Sequence, residues 1–158
     1  MHRGHNLARG RRSVLLVCAG LPAAFAPAAW AQSDPVGEPF PASVGLADLD
    51  GAIGFRMDGI HERDHCGWSV AGTGDLNGDG ISDIVVGAYG ARVGSSLAHS
   101  GISYVVFGRR GAGGVFPDAL SLAELDGITG FALQGSDGEA SGWSVGPAGD
   151  INADGVDD

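Results

Sequence analysis

Lysine is absent from all 158 residues, so positive charge rests on nine arginines set against nineteen acids. Arg3, Arg9, Arg11 and Arg12 stand ahead of an apolar run from Val14 to Ala26, and Ala29-Trp30-Ala31 follows as a small-x-small cleavage site. This layout predicts a secretory signal peptide over residues 1–31. A membrane-spanning helix is the competing reading, but Pro22 and Pro27 interrupt the run, which falls short of the ~20 apolar residues a span needs. The Arg11-Arg12 pair also allows twin-arginine export, whereas Cys18 follows Val17 rather than a small residue and argues against a lipid anchor. Beyond the leader five arginines face nineteen acids, a net charge of −14. Such a surface repels nucleic acid and anionic membranes and excludes both as partners. Cysteine is equally sparse: Cys66 is alone after residue 31, so no internal disulfide can form. Helical periodicity is missing after the leader, with at most one turn over residues 117–124.

Glycine, with 29 residues, is abundant, and the apolar residues fall in short β-branched and aromatic groups. Three prolines and no periodicity make residues 32–43 an extended linker. From there the chain repeats itself. Leu46-Ala47-Asp48-Leu49-Asp50-Gly51 returns as Leu122-Ala123-Glu124-Leu125-Asp126-Gly127, and Gly67-Trp68-Ser69-Val70 returns as Gly142-Trp143-Ser144-Val145. Matching blocks in the same order indicate duplicated structural units, a full one over about 44–121 and the start of a second over 122–158. Trp68 to Ala71, Ile84 to Ala88 and Ser103 to Phe107 read as strands between glycine-rich turns. Ile84-Val85-Val86 is uninterrupted, as in a strand covered on both faces. The expected class is all-β.

The most specific repeated block is acidic. Asp75-Leu76-Asn77-Gly78-Asp79-Gly80-Ile81-Ser82-Asp83 returns as Asp150-Ile151-Asn152-Ala153-Asp154-Gly155-Val156-Asp157-Asp158. Both follow D-x-N-x-D-G-φ-x-D, with φ aliphatic. Side-chain oxygens of Asp75, Asn77, Asp79 and Asp83, with the carbonyl of Ile81, could converge on one hard cation. The second loop offers Asp150, Asn152, Asp154, the carbonyl of Val156, and Asp158. Every donor is oxygen, so calcium is the expected ion. An ordinary solvated Asp/Asn/Gly turn is the plainer alternative. An EF-hand is excluded: its position 12 requires an acid, and that position is Val86.

Other clusters carry less. His61, His65 and Cys66 could bind zinc, but the matching stretch from Gly135 to Gly142 has no histidine, so a variable surface loop is the better reading. Trp68 and Trp143 occupy equivalent places on an inner strand, where packing between units explains them. The glycine- and serine-rich stretch from Gly90 to Ser100, with Arg92 and His99, is the most plausible contact loop. No G-x-S-x-G elbow and no nucleophile–base spacing occur, so no enzymatic activity is expected.

The order Gly67-Trp68-Ser69-Val70-Ala71, acidic loop, Asp83-Ile84-Val85-Val86-Gly87-Ala88, then Tyr104-Val105-Val106-Phe107-Gly108 resembles the FG-GAP repeat. Here Cys66-Gly67 and Ser141-Gly142 stand for the FG letters, and Gly87-Ala88-Tyr89 for GAP. The family builds the calcium-binding β-propeller at the head of integrin α chains and occurs in many exported bacterial proteins. The resemblance implies that residues 44–158 form four-stranded propeller blades, with loop 75–83 joining the two innermost strands. A propeller closes with roughly 4–8 blades, so this partial propeller predicts a piece of a longer protein, or a truncated product, whose open strand edges favour self-association. The implied function is adhesion or protein–protein recognition outside the cytoplasm (periplasmic, extracellular or at the cell surface), with calcium structural and the partner a protein or cell-surface ligand. A non-catalytic accessory domain of a secreted or surface hydrolase, phospholipase-like, is the alternative.

Overall fold

The structure, a computed structural model, describes residues 13–16, 43, 45–51, 54–94, 99–109 and 116–158. Apart from Ser13–Leu16 and Ser43, the expected leader and linker lie outside the described residues. Among the described residues no helix is long and apolar enough to cross a membrane.

Seven strands follow in chain order: β1 (Ser13–Leu16), β2 (Phe55–Asp58), β3 (Ser69–Gly74), β4 (Asp83–Ala88), β5 (Ile102–Val106), β6 (Ala119–Ser121) and β7 (Gly130–Gln134). They form two sheets, β1-β2-β6 and β3-β4-β5-β7. The second sheet is antiparallel throughout, Val86 facing Val70 on one side and Tyr104 on the other. Its first three strands are those the β-branched runs predict. The helical turn expected near residues 117–124 is a short 3-10 turn, Leu122–Glu124, that follows β6 directly.

β4 is central, and from Val85 onward all its residues are buried. Alternation sorts them: Val86 and Ala88 join Ile102, Tyr104 and Val106 on one face, packed against Phe55 and Met57 of β2 and against Leu120 and Leu122. The core therefore lies between the two sheets. Phe116 stacks on Phe55 with ring centroids 4.1 Å apart. Tyr104 is fully inside this core, and its hydroxyl has no hydrogen-bond partner among the described residues. Burial pushes its phenol up to about 12, with the charge of Asp64 adding to the effect. An unpaired buried hydroxyl costs free energy, so Tyr104→Phe should leave the protein as stable or raise stability by about 1 kcal/mol, read from denaturant unfolding.

The duplication is visible in the backbone. The 3-10 turn Leu46–Asp48 is repeated by Leu122–Glu124. The bond from Gly51 N–H to Gly54 O (2.9 Å) is repeated from Gly127 to Gly130 (2.8 Å). His65 and Ala140 share a φ of 53°, and Trp68 and Trp143 each donate over 3.1 Å to them. Sheet and sequence repeat are nevertheless out of phase. β7 belongs by sequence to the second unit, yet it pairs with β5 and completes the sheet of the first. Its counterpart β2 sits in the other sheet, paired with β1 in the register that β5 adopts on β7: Leu16 faces Phe55 as Val105 faces Phe131. Ser144 to Gly149 do not form a strand, although their counterparts make β3.

Candidate metal centre

Loop 75–82 joins β3 to β4 across adjacent antiparallel strands, where its sequence puts it. Its acids fold back onto its own amides. Asp75 Oδ1 accepts from Asp79 N–H at 2.9 Å and its Oδ2 from Gly80 N–H at 2.6 Å. Asn77 Oδ1 accepts from Asp79 N–H at 3.0 Å, and Asp79 Oδ1 from Ile81 N–H at 2.8 Å. The second loop reproduces this network. Asp150 accepts from Asp154 N–H (3.0 Å) and Gly155 N–H (2.8 Å), Asn152 from Asp154 N–H (2.9 Å), and Asp154 from Val156 N–H (2.9 Å). The same four amide bonds thus recur in two segments seventy-five residues apart, so the turn is specified locally, and Asn77 Nδ2 adds a bond to Asp79 Oδ2 at 3.0 Å in the first loop.

The structure thus brings Asp75, Asn77 and Asp79 onto one turn, and Asp150, Asn152 and Asp154 onto another. It places the last acid of each motif differently. Asp83 is 1% exposed at the first residue of β4, its Oδ2 accepting from Leu76 N–H and its Oδ1 from Gly108 N–H, both at 2.8 Å. Its carboxylate ties the loop's start to the end of β5. Asp158 repeats half of this, accepting from Ile151 N–H at 3.0 Å while remaining exposed. Ile81 and Val156 stand at their expected loop positions.

Among the described residues no three His, Cys, Asp or Glu side chains gather as a metal-ready cluster. The donor set still fits a hard cation. An ionised carboxylate has about four acceptor positions, and loop amides take two of those on Asp75, leaving oxygen capacity free. The His61, His65 and Cys66 grouping offers less, since burial pushes the Cys66 thiol up to about 11 and keeps it protonated at neutral pH. A protonated, buried thiol is a poor nucleophile.

Three features escaped the sequence. Asp157 lies between the loops: its Oδ2 accepts from Asp75 N–H at 3.0 Å, and its N–H donates to Asp75 O at 3.2 Å. Ser82 stands at the matching position of the first loop, so the motif gives no signal for this bridge. Second, Gly87 and Gly142 press backbone to backbone. A Cβ on Gly87 would collide with Gly142 O, and Ser69 Oγ donates to that same carbonyl at 2.8 Å. The GAP glycine of one repeat therefore meets the FG glycine of the next, which gives both letters a steric reason. Third, Trp68 and Trp143 pack on each other between repeats yet stay 56% and 58% exposed. Their ring centroids are 5.6 Å apart, and Tyr89 lies edge-on to both. They form a surface aromatic cluster rather than part of a closed core.

Residues 67–106 match the protein-family model for the FG-GAP repeat. The chain carries an FG-GAP repeat. That repeat spans β3, loop 75–82, β4 and β5, three strands of the four-stranded sheet. Integrin alpha-IIb of Mus musculus is 38% identical over 106 residues, a stretch covering 65% of this chain and 9% of that protein. The chain thus spans only a small part of this much longer relative. The FG-GAP match stops at Val106, and the fourth strand of the sheet, β7, lies beyond it.

Proposed function

We propose that the chain is part of an exported, calcium-stabilised β-propeller that serves adhesion or protein–protein recognition without catalysis. The observation that carries this reading is the acidic loop, built twice with the same amide network inside a repeat like those of an integrin alpha chain. Calcium would be held by Asp75, Asn77, Asp79, Asp83 and the Ile81 carbonyl in the first loop. In the second it would be held by Asp150, Asn152, Asp154, Asp158 and the Val156 carbonyl. The ion's part is mechanical. It neutralises acids that otherwise repel one another and fixes the turn between β3 and β4, so that rim loops keep their shape for a partner.

The edges of the four-stranded sheet at β3 and β7 have no further strand among the described residues. They offer sites for neighbouring blades or for self-association. Affinity in the range of extracellular calcium modules, a Kd on the order of 10⁻⁴–10⁻³ M, suits a structural ion. At 10 mM calcium, binding to the folded form alone then adds about 1.5–3 kcal/mol of stability. Thermal melts should show a rise of several degrees with calcium over chelator, and Asp79→Ala should remove the first loop's share of it. Equal melts in calcium and chelator would refute the structural role of the ion.

A further inference from the structure

The two acidic loops differ at one position that bears on covalent chemistry rather than on shape. Asn6, Asn77 and Asn152 are the asparagines of the sequence, and of these Asn77 alone precedes a glycine. Gly78 and its counterpart Ala153 both hold the left-handed backbone, with φ of 74° and 60°. Their asparagines are held alike: Asn77 and Asn152 each accept from the amide two residues on, at 3.0 Å and 2.9 Å. Both asparagines and both following residues are exposed, so solvent reaches them. What separates the loops here is a methyl group. Ala153 carries a Cβ beside its own backbone nitrogen, and Gly78 leaves that nitrogen unshielded.

An unshielded backbone nitrogen can attack the side-chain amide of the asparagine before it. Gly78 N gives up its proton to solvent and adds to Asn77 Cγ. Negative charge then develops on Oδ1, the atom that already accepts from Asp79 N–H. Asn77 Nδ2 lies 3.0 Å from Asp79 Oδ2, a carboxylate that favours this nitrogen as it takes up a proton and leaves as ammonia. The Cγ–Nδ2 bond breaks, the new bond from Cγ to Gly78 N remains, and a five-membered imide closes. Water then adds to one of its two carbonyls. Opening at Cγ gives aspartate, and opening at the backbone carbonyl gives isoaspartate, whose main chain runs through the side chain. In sum one water enters and one ammonia leaves, with nothing oxidised or reduced.

We propose that Asn77 is a self-modification site, converted to aspartate and isoaspartate through an imide with Gly78, so that the first acidic loop ages ahead of the second. The isoaspartate form puts one extra methylene into the backbone inside the span that Asp75 closes. The amides of Asp79 and Gly80 then move out of register with the Asp75 carboxylate. No metal ion is needed for this chemistry, and its failure would leave the calcium reading untouched.

Incubation of the full chain in chelator at mildly alkaline pH, sampled over weeks by tryptic mass mapping, tests it. Cleavage after Arg63, Arg92 and Arg110 puts Asn77 and Asn152 on separate peptides, 64–92 and 111–158. The first peptide has no glutamine and no other asparagine, so a gain of one mass unit there reports Asn77 alone. Asn77 should convert at least tenfold faster than Asn152. Gly78→Ala should slow it at least tenfold. That variant should fold, because Ala153 already adopts the same backbone and a Cβ on Gly78 would meet only Val156 Cγ2, at 3.7 Å. Ala153→Gly should speed Asn152 by a similar factor. Equal rates at the two asparagines, a Gly78→Ala chain converting as fast as the wild type, or an Asn152 rate untouched by Ala153→Gly would overturn the proposal.

Discussion

Asp83→Ala should cost about 3 kcal/mol of stability, a fall of roughly 10–20 °C in Tm for a domain of this size. The carboxylate is almost wholly buried and accepts two backbone N–H groups, from Leu76 and Gly108, at 2.8 Å each. Removing it strands both donors and cuts the tie between the β3–β4 loop and the end of β5. Bonds to a charged acceptor are worth about twice neutral ones, so Asp83→Asn, which keeps one acceptor, should lose about half as much. Most of this cost should persist in chelator, because the amide bonds do not need the ion, and calcium held by the same carboxylate should add to it. Asp79→Ala should behave in the opposite way, with most of its effect appearing only when calcium is present. Urea unfolding of the two variants with and without calcium separates these roles. A stable Asp83→Ala would mean that the described hydrogen bonds do not hold this loop in place.

The second large effect is expected at the seam between repeats. Gly142 has a φ of +81°, which disfavours any side chain, and a Cβ there would lie 2.7 Å from Ile102 O and 2.8 Å from both Ala88 N and Gly87 Cα. These neighbours are backbone of β4 and β5, so they cannot swing aside. Gly142→Ala should lose at least 3 kcal/mol, combining left-handed strain with overpacking. Gly87→Ala should do comparable damage for a different reason, since its Cβ would strike Gly142 O and displace the acceptor of the Ser69 hydroxyl. Both variants should detach the segment that follows Ser141 and change the fluorescence of Trp143 and Trp68, which touch across the seam. Ser69→Ala, which removes one hydrogen bond and adds no atom, should cost only about 1 kcal/mol. Wild-type stability in Gly142→Ala would show that the repeats do not pack as described.

The strands that were legible in the sequence are those whose residues declare their surroundings. The uninterrupted Ile84-Val85-Val86 run reads as a strand covered on both faces, and β4 is one of the two inner strands of its sheet. The acidic loop was legible because each short polar side chain reaches an amide two to five residues away, so the conformation is written locally. Long-range choices were not. Gly130 to Gln134 repeats the sequence of β2, and nothing local distinguishes a strand that joins its own unit from one that completes the sheet before it. Asp83 reads as the last member of a ligand set, and its sequence gives no sign that it also accepts backbone amides. Its burial became visible only once Gly108, twenty-five residues on, was seen donating to it. Trp68 and Trp143 read as packing between units, and they do meet there, but at the surface rather than inside. Their exposure follows from a position at the seam, which no pattern of apolar residues reveals.

Counting bound calcium directly tests the central reading most sharply. Equilibrium dialysis of the full chain against millimolar calcium, followed by metal analysis, should find two ions per chain, falling to one in Asp79→Ala and to none when Asp154→Ala is added. Fewer than one ion per chain at saturation, or a count untouched by both substitutions, would contradict it.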